Sequence, residues 1–396
     1  MNVAICALSA AAAAVTVAGC GSAASAKRSS AHAVTFAGAG SLIPAGPDWP
    51  TLLHGPSHFG AATVTGPATA AVRWQRRLAG SITPGPVTVG GVAYVASNGG
   101  VLHALSVATG KDLWSFSGGA GYGSDLSTAP AVLGDGLILW PGPHERVFAL
   151  SPLGRLRWTI QLQGQALTPA VDPARRLLVL ADASGGLRGY RLAPGGAAPV
   201  RLWSHPLATA SFGNPVLASN GTTYETAGDS LYAVSAAGHV LWRVKTPAQV
   251  EVSAAVADDG TIVFGSGDQR EYGVWPDGRL RWRVAIGNYT YSSPLTLAGH
   301  RVVFGDHSGD MSTLDTRDGH LISRDHGSGQ LWTAAAVDHR GDIYFASRTG
   351  GIYGFGPHGQ RLFRLPTGAT FDSYPAIAAD GTLLVGGDDG VLRAIR

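Results

Sequence analysis

Short runs rich in Val, Ile, Tyr and Phe recur along most of the chain, separated by clusters of Gly, Asn and Asp. Val92-Ala93-Tyr94-Val95, Thr261-Ile262-Val263-Phe264 and Asp342-Ile343-Tyr344-Phe345 are such runs. Gly134-Asp135-Gly136, Asp258-Asp259-Gly260 and Asp380-Gly381 are the turns before the second run of a unit. Ser97-Asn98-Gly99-Gly100, His307-Ser308-Gly309 and Asp388-Asp389-Gly390 are the turns after it. Period-two runs joined by tight Gly and Asx turns predict antiparallel strands, four to a unit, and no helical periodicity competes with them. The chain reads as all-β.

The unit repeats. Tryptophan falls at 74, 114, 158, 203, 242 and 282, spaced 40, 44, 45, 39 and 40 residues apart, and the series continues at Ser323 and Phe363. A period near 40 indicates a propeller or a solenoid. Each unit opens with Ser, Thr or Asn before Pro or Ala, as in Thr128-Ala129-Pro130, Thr168-Pro169, Asn214-Pro215, Ser253-Ala254, Ser293-Pro294 and Thr333-Ala334. Seven complete units start near 84, 128, 168, 214, 253, 293 and 333. An eighth starts near Ser373 and ends at Val391-Leu392-Arg393-Ala394-Ile395 without its Trp strand, which stands instead at Val72-Arg73-Trp74-Gln75-Arg76. A first strand that completes the last blade closes a ring and hides both open edges. The expectation is an eight-bladed β-propeller of four-stranded antiparallel blades, monomeric, over residues 47–396.

Composition narrows the function classes. With 45% hydrophobic and only 14% charged residues the chain is neither disordered nor a coiled coil. Basic and acidic residues number 29 and 26, too balanced for a nucleic-acid footprint. Residues 3–17 form an apolar, Ala-rich run with the length of a signal-peptide core, although no Lys or Arg precedes it. Val17-Ala18-Gly19-Cys20 resembles a bacterial lipobox, which implies lipidation of Cys20 after removal of residues 1–19; cleavage after Ala24-Ser25-Ala26 is the alternative. Cys6 would leave with the signal, so the mature chain has one thiol, at its first position. Residues 20–46, rich in Ala, Gly and Ser, read as a flexible tether. The expected location is the outer face of the cytoplasmic membrane, or the periplasm and outer membrane where the host has one.

Ala104-Leu105-Ser106-Val107-Ala108-Thr109-Gly110-Lys111-Asp112-Leu113-Trp114 resembles the tryptophan-docking motif of pyrroloquinoline-quinone-type repeats, with shorter versions ending at Trp158, Trp242 and Trp282. The resemblance implies that Trp74, Trp114, Trp158, Trp203, Trp242 and Trp282 are structural, each indole bridging to a neighbouring blade. Asp48-Trp49-Pro50 resembles the lead-in of such proteins. In size and layout the chain is similar to the BamB-type outer-membrane-assembly lipoproteins, which implies a scaffold in a β-barrel insertion machine. The quinone-dependent dehydrogenases of the same repeat class use adjacent cysteines and a Glu, Asn, Asp calcium set, and the mature chain has no cysteine pair. No cofactor, metal or catalytic residue is therefore expected, with a quinone-dependent dehydrogenase as the alternative. His239, His300, His320, His339 and His358 fall in or beside turns without metal-ligand spacing.

The loops from each Trp strand to the next unit vary most. They carry Tyr122, Asp125, Phe212, Glu251, Tyr289, Tyr291, Trp332, Phe371, Asp372 and Tyr374. Aromatics mixed with acidic and amide groups on one face compose a recognition surface for a protein or envelope ligand. The competing reading is that some of these rings cover the core. The sequence thus predicts a non-catalytic, lipid-anchored extracytoplasmic scaffold.

Overall fold

The structure, a computed structural model, describes residues 48–396 except 60, 122–127, 208 and 327–328, together with the backbone of a short strand at Ala26–Arg28. Cys20 and the remainder of residues 1–47 lie outside the described residues. Eight antiparallel sheets form the ring, and in blades 1 to 7 the four strands follow in chain order from innermost to outermost. Blade 1 comprises Val87–Val89, Val92–Ser97, Val101–Ser106 and Asp112–Ser117, with Ala26–Arg28 added at its outer edge. Blade 8 comprises Ala376–Ile377, Leu383–Gly386 and Val391–Ile395, and its outermost strand is the N-terminal Val72–Arg77. The expected closure is therefore the observed one. Among the described residues no helix is long and apolar enough to cross a membrane.

Indoles fasten the blades. Trp74, Trp114, Trp158, Trp203, Trp242 and Trp282 each donate from Nε1 to a backbone carbonyl of the next blade, at Val107, Pro152, Gly196, Ala236, Pro276 and Thr316, over 2.7–3.1 Å. The residue paired with each Trp on the neighbouring strand is Ala or Gly, as in Ala104 with Trp114 and Gly273 with Trp282. A Cβ on Gly278 would stand 2.8 Å from the Trp242 ring at φ +85°, so only Gly fits there. A bulge beside the Trp in each blade turns the outer strand locally. Between blades 6 and 7, and 7 and 8, Ser323 and Phe363 stand where the indole would be.

The repeated Ser/Thr/Asn at the start of each unit forms a collar around the central channel. The N–H of Ala129 donates to Thr168 Oγ1, that of Thr168 to Asn214 Oδ1, that of Asn214 to Ser253 Oγ, and that of Ser253 to Ser293 Oγ, at 2.8–3.1 Å. Blades 3 to 6 thus each satisfy a buried donor of the preceding blade with a short side chain, whereas Thr333 Oγ1 of blade 7 has no partner and Ser373 Oγ of blade 8 donates to the Pro84 carbonyl.

The segment before the ring forms a plug. Trp49 exchanges two 2.8 Å backbone bonds with Thr88 of blade 1. The carbonyls of Pro50, Pro56, Ser57 and His58 accept from Val132, Leu217, Val256 and Thr296 on the innermost strands of blades 2, 4, 5 and 6. Ala62 donates to Val337 of blade 7. One short segment therefore pairs with six innermost strands across the lower mouth of the channel, and Leu52 and Leu53 are buried beneath them. Leu53 and His54 take left-handed backbone angles, φ 50° and 72°, which let the segment turn within the mouth.

Candidate functional site

The upper face is built by two sets of loops tied together. In each tie, the N–H of a hairpin between the second and third strands donates to a carbonyl of the loop entering that blade. His307 donates to Tyr289, Arg348 to Gln330, Asp388 to Thr370 and Gly267 to Gln249, at 2.8–3.0 Å. The variable loops are thereby held on one face, around the mouth opposite the plug.

A cavity of about 520 Å³ opens there. It is lined by Phe212, Glu251, Tyr291, Trp332, Arg348, Asp372, Tyr374 and Asp388 above the collar residues Asn214, Ser253 and Ser293. A Cβ on Gly85 would stand 3.1 Å from Tyr374 Cβ and 3.4 Å from Leu52 Cδ1. Plug and collar therefore meet at the bottom of the channel, and the ring is a cup rather than a tube. A second cavity of about 300 Å³ adjoins it on top of blade 5, lined by Ala248, Gln249, Glu251, Gly267, Tyr289, Thr290 and Tyr291. Glu251 and Tyr291 border both.

The aromatic groups of the cup form one cluster. His307 lies 4.8 Å from Tyr291 and stacks on Trp332 at 5.5 Å and 15°. The Arg348 guanidinium sits 3.7 Å from the Trp332 ring centre, and its Nε is 3.3 Å from Asp372. Burial, with the Arg348 charge nearby, lowers the His307 pKa. Burial and then the Glu251 carboxylate, which is hydrogen-bonded to the Tyr291 hydroxyl, raise that of Tyr291. Trp332 Nε1 and His307 Nε2 are buried without a hydrogen-bond partner. Such donors and acceptors are uncommon in a finished core and leave polar capacity at the cup wall.

The structure separates the sequence candidates into groups. Phe212 and Tyr289 are exposed, at 42% and 46%. Glu251, Tyr291, Trp332 and Asp372 are half-buried and line the cup. Phe371 is fully buried in the core between blades 7 and 8, and Tyr374 is nearly so, its hydroxyl 3.3 Å from Ser293 Oγ. Tyr122 and Asp125 lie outside the described residues. Sequence reading missed Arg348, His307 and Asp388, because they sit in the tight hairpins rather than in the variable loops.

Among the described residues, two acid and histidine groups have ligand-capable atoms within 4.8 Å of one another: Asp258, Asp259 and His300, and Asp315, Asp318 and His320. Linear spacing had not suggested them. Their atoms are engaged in turns and ion pairs: Asp259 accepts from Arg281 at 2.5 Å, Asp315 from Arg317 at 2.6 Å, and Asp318 holds His320 at 2.8 Å. The aspartates at 135, 259, 277, 318, 380 and 389 accept from the N–H two residues on, which is the turn chemistry the sequence predicts. A planar quinone would need a bare ring to stack on, whereas Trp332 is already stacked and the chain has no cysteine after Cys20.

Comparison with known proteins agrees with this architecture. The chain is 24% identical over 330 residues to the outer membrane protein assembly factor BamB of Burkholderia pseudomallei, covering 69% of this chain and 84% of that protein. Its fold matches the crystal structure of quinohemoprotein alcohol dehydrogenase from Comamonas testosteroni, with TM-score 0.67 and 13% identity over 88% of this chain and 80% of that one. It also matches BamB from Moraxella catarrhalis, with TM-score 0.59 and 14% identity over 82% and 99%. Saccharomyces cerevisiae Sqt1 gives TM-score 0.66 and 14% identity over 84% and 99%. At these identities the structures speak for the fold alone. The family described as outer membrane protein assembly factor BamB matches residues 24–180 and 198–396, and the chain belongs to that family.

Proposed function

We propose that the protein is a non-catalytic envelope scaffold, anchored by a lipid on Cys20, that docks a partner protein on its open upper face in the manner of a β-barrel assembly factor. The observation that carries this reading is the asymmetry of the ring. One mouth is sealed by the chain's own plug, while the other presents a cup with exposed Phe212 and Tyr289 at its rim. Membership of the BamB family supports the choice of an assembly partner over a small substrate. The stacked state of Trp332 speaks against quinone chemistry in the cup, and the ion pairs of Asp259 and Asp315 speak against a metal at the two acid and histidine groups outside it.

A photo-crosslinking amino acid placed at Phe212 or Tyr289 in the native cell, with Leu241 on the outer wall as control, tests the proposal. Adducts from the two rim positions with barrel-assembly proteins are the expected result. Equal or stronger capture from Leu241, or none from the rim, would overturn the upper face as the docking surface. Mass spectrometry of the mature N-terminus checks the lipid: a diacylglyceryl cysteine at Cys20 is expected, and a chain starting at Lys27 would refute it.

A further inference from the structure

The joints of the ring are not fastened alike. Six carry an indole that bonds to the next blade. In five of these the indole also lies against a glycine of that blade: Trp74 on Gly110, Trp114 on Gly154, Trp203 on Gly238, Trp242 on Gly278 and Trp282 on Gly319. The joint between blades 7 and 8 has other apolar packing in its place. Phe363 is buried, stacks on Tyr344 and shares a core cluster with Leu383 and Ile395 of blade 8. The chain leading into the ring also ties these two blades together, because the carbonyl of Val64 accepts from His339 and that of Ala71 from Arg396.

The joint between blades 6 and 7 is built from polar groups on its outer side. The third and outermost strands of blade 6 are Asp310–Asp315 and Leu321–His326. Ser323 pairs there with Thr313, where the other blades pair Trp or Phe with Ala or Gly. Two residues further on, Asp325 is only 4% exposed, at the position where five other blades place Phe116, Ile160, Val244, Val284 or Leu365. Gly359 of blade 7 corresponds to the glycines that face an indole elsewhere, and a Cβ on it would stand 2.5 Å from Asp325 Oδ1. A carboxyl thus takes the place of a ring against the next blade. Burial is the single influence on that carboxyl and raises its pKa. Such a group costs stability where an indole would add both packing and a hydrogen bond. Apolar contact between the two blades lies nearer the channel, where Val303 and Met311 share a core cluster with Val337 and Phe345.

We propose that the ring yields first at the joint between blades 6 and 7: the outer strand Leu321–His326 parts from blade 7 while the inner strands stay packed, and the cup wall moves with it. The aromatic cluster of the cup spans this same joint. His307 belongs to the hairpin of blade 6, whereas Trp332 lies in the loop entering blade 7 and Arg348 in the hairpin of blade 7. Parting of the two blades therefore changes how His307 and Arg348 meet Trp332. Segments that adjust around a binding site are drawn from the least stable parts of a fold, and the outer side of this joint is such a part. The inference concerns the ring itself and stands whether or not a partner docks in the cup.

Native-state hydrogen exchange of the full-length protein, read by mass spectrometry and corrected for intrinsic rates, tests the proposal. Peptides over Leu321–His326 and over the Arg348 hairpin should exchange about tenfold faster than those over Val240–Lys245 of blade 4 and the Gly267 hairpin, as expected for one missing interblade bond with its packing. Thr313→Ala combined with Ser323→Trp restores the small residue and the indole, and should slow Leu321–His326 and the Arg348 hairpin to the level of Val240–Lys245. Asp325→Val, a milder change, should slow the same two peptides part of the way and leave Val240–Lys245 unaltered. Equal protection of Leu321–His326 and Val240–Lys245 in the unaltered protein, no slowing in Asp325→Val, or slowing spread evenly over the ring would overturn the proposal. A slowed Leu321–His326 beside an unchanged Arg348 hairpin would overturn the link to the cup.

Discussion

The two mouths of the ring differ in what covers their backbone groups, although each keeps buried side-chain atoms without a partner, His54 Nε2 and Thr88 Oγ1 at the lower one. At the lower mouth the plug carbonyls and N–H groups pair with six innermost strands, and Leu52 and Leu53 fill the space below the cup. At the upper mouth Trp332, His307 and the two oxygens of Glu271 are buried without partners, and Phe212 and Tyr289 are left exposed. One end is closed by the chain's own plug; the other is left open, with aromatic rings exposed at its rim. Polar capacity left open at one end is where a partner can add the missing interactions.

The comparison can be broken most severely from below. Leu53→Asp places a carboxylate among apolar side chains at a fully buried site, at a cost of several kcal/mol, and should abolish the cooperative melt seen by circular dichroism. Trp242→Ala removes both the 2.8 Å bond to Pro276 and the ring packed on Gly278, and should lower stability by about 3–5 kcal/mol in urea denaturation. Survival of either variant with an unchanged midpoint would show that plug or indole is dispensable.

Acidity separates the two ends by sign. Burial holds His58, whose Nδ1 is 2.9 Å from the Ala254 carbonyl, at a pKa of about 4 against an ordinary 6.5. Between those values the unfolded chain takes up the proton and the folded chain does not. Stability from the plug should therefore fall as pH drops from 6.5 towards 4, by up to about 1.4 kcal/mol per pH unit. His58→Asn, which tolerates the φ of 52° and keeps a donor, should flatten that dip. Glu271 behaves oppositely. Burial, with Asp268 nearby, pushes its carboxyl well up, so the folded state keeps a proton that the unfolded state has lost. Stability should then fall as pH rises above the ordinary carboxylate range of about 4.5, and the advantage of Glu271→Leu should grow from pH 5 to pH 8 in parallel urea series. A constant difference would mean that the carboxyl is not strained.

The smallest effect on the fold is expected at the rim. Phe212→Ser and Tyr289→Ser should change stability by no more than about 0.5 kcal/mol while removing partner capture. A large loss of stability would place these rings among the packing residues, with Phe371 and Tyr374.

Much of the ring was legible because the information is local and repeated. Each indole recurs about one blade-length along the chain, a small residue lies opposite it, and Asp recurs two residues before a turn N–H it binds. The Ser/Thr/Asn that opens each unit was visible as a pattern, but its role as a collar follows only from placing one blade beside the next. The plug was legible only as Asp48-Trp49-Pro50, because its partners lie from about 40 to about 280 residues away. Of the cup, the loop residues could be named in advance. Arg348 and His307 could not, since a hairpin residue gains meaning only from the loop tied beside it. Glu271 was hidden for a different reason: one acidic residue in a strand looks solvent-facing until the register shows seven apolar counterparts.

The sequence by itself determined the number of blades, the strand that closes the ring and the residues that fasten one blade to the next, because those are short-range patterns that the period repeats. Only the tertiary structure decided which mouth is sealed, which loop aromatics are core, and that a carboxylate lies buried beside a cavity. These depend on contacts between segments far apart in the chain, which no local pattern encodes.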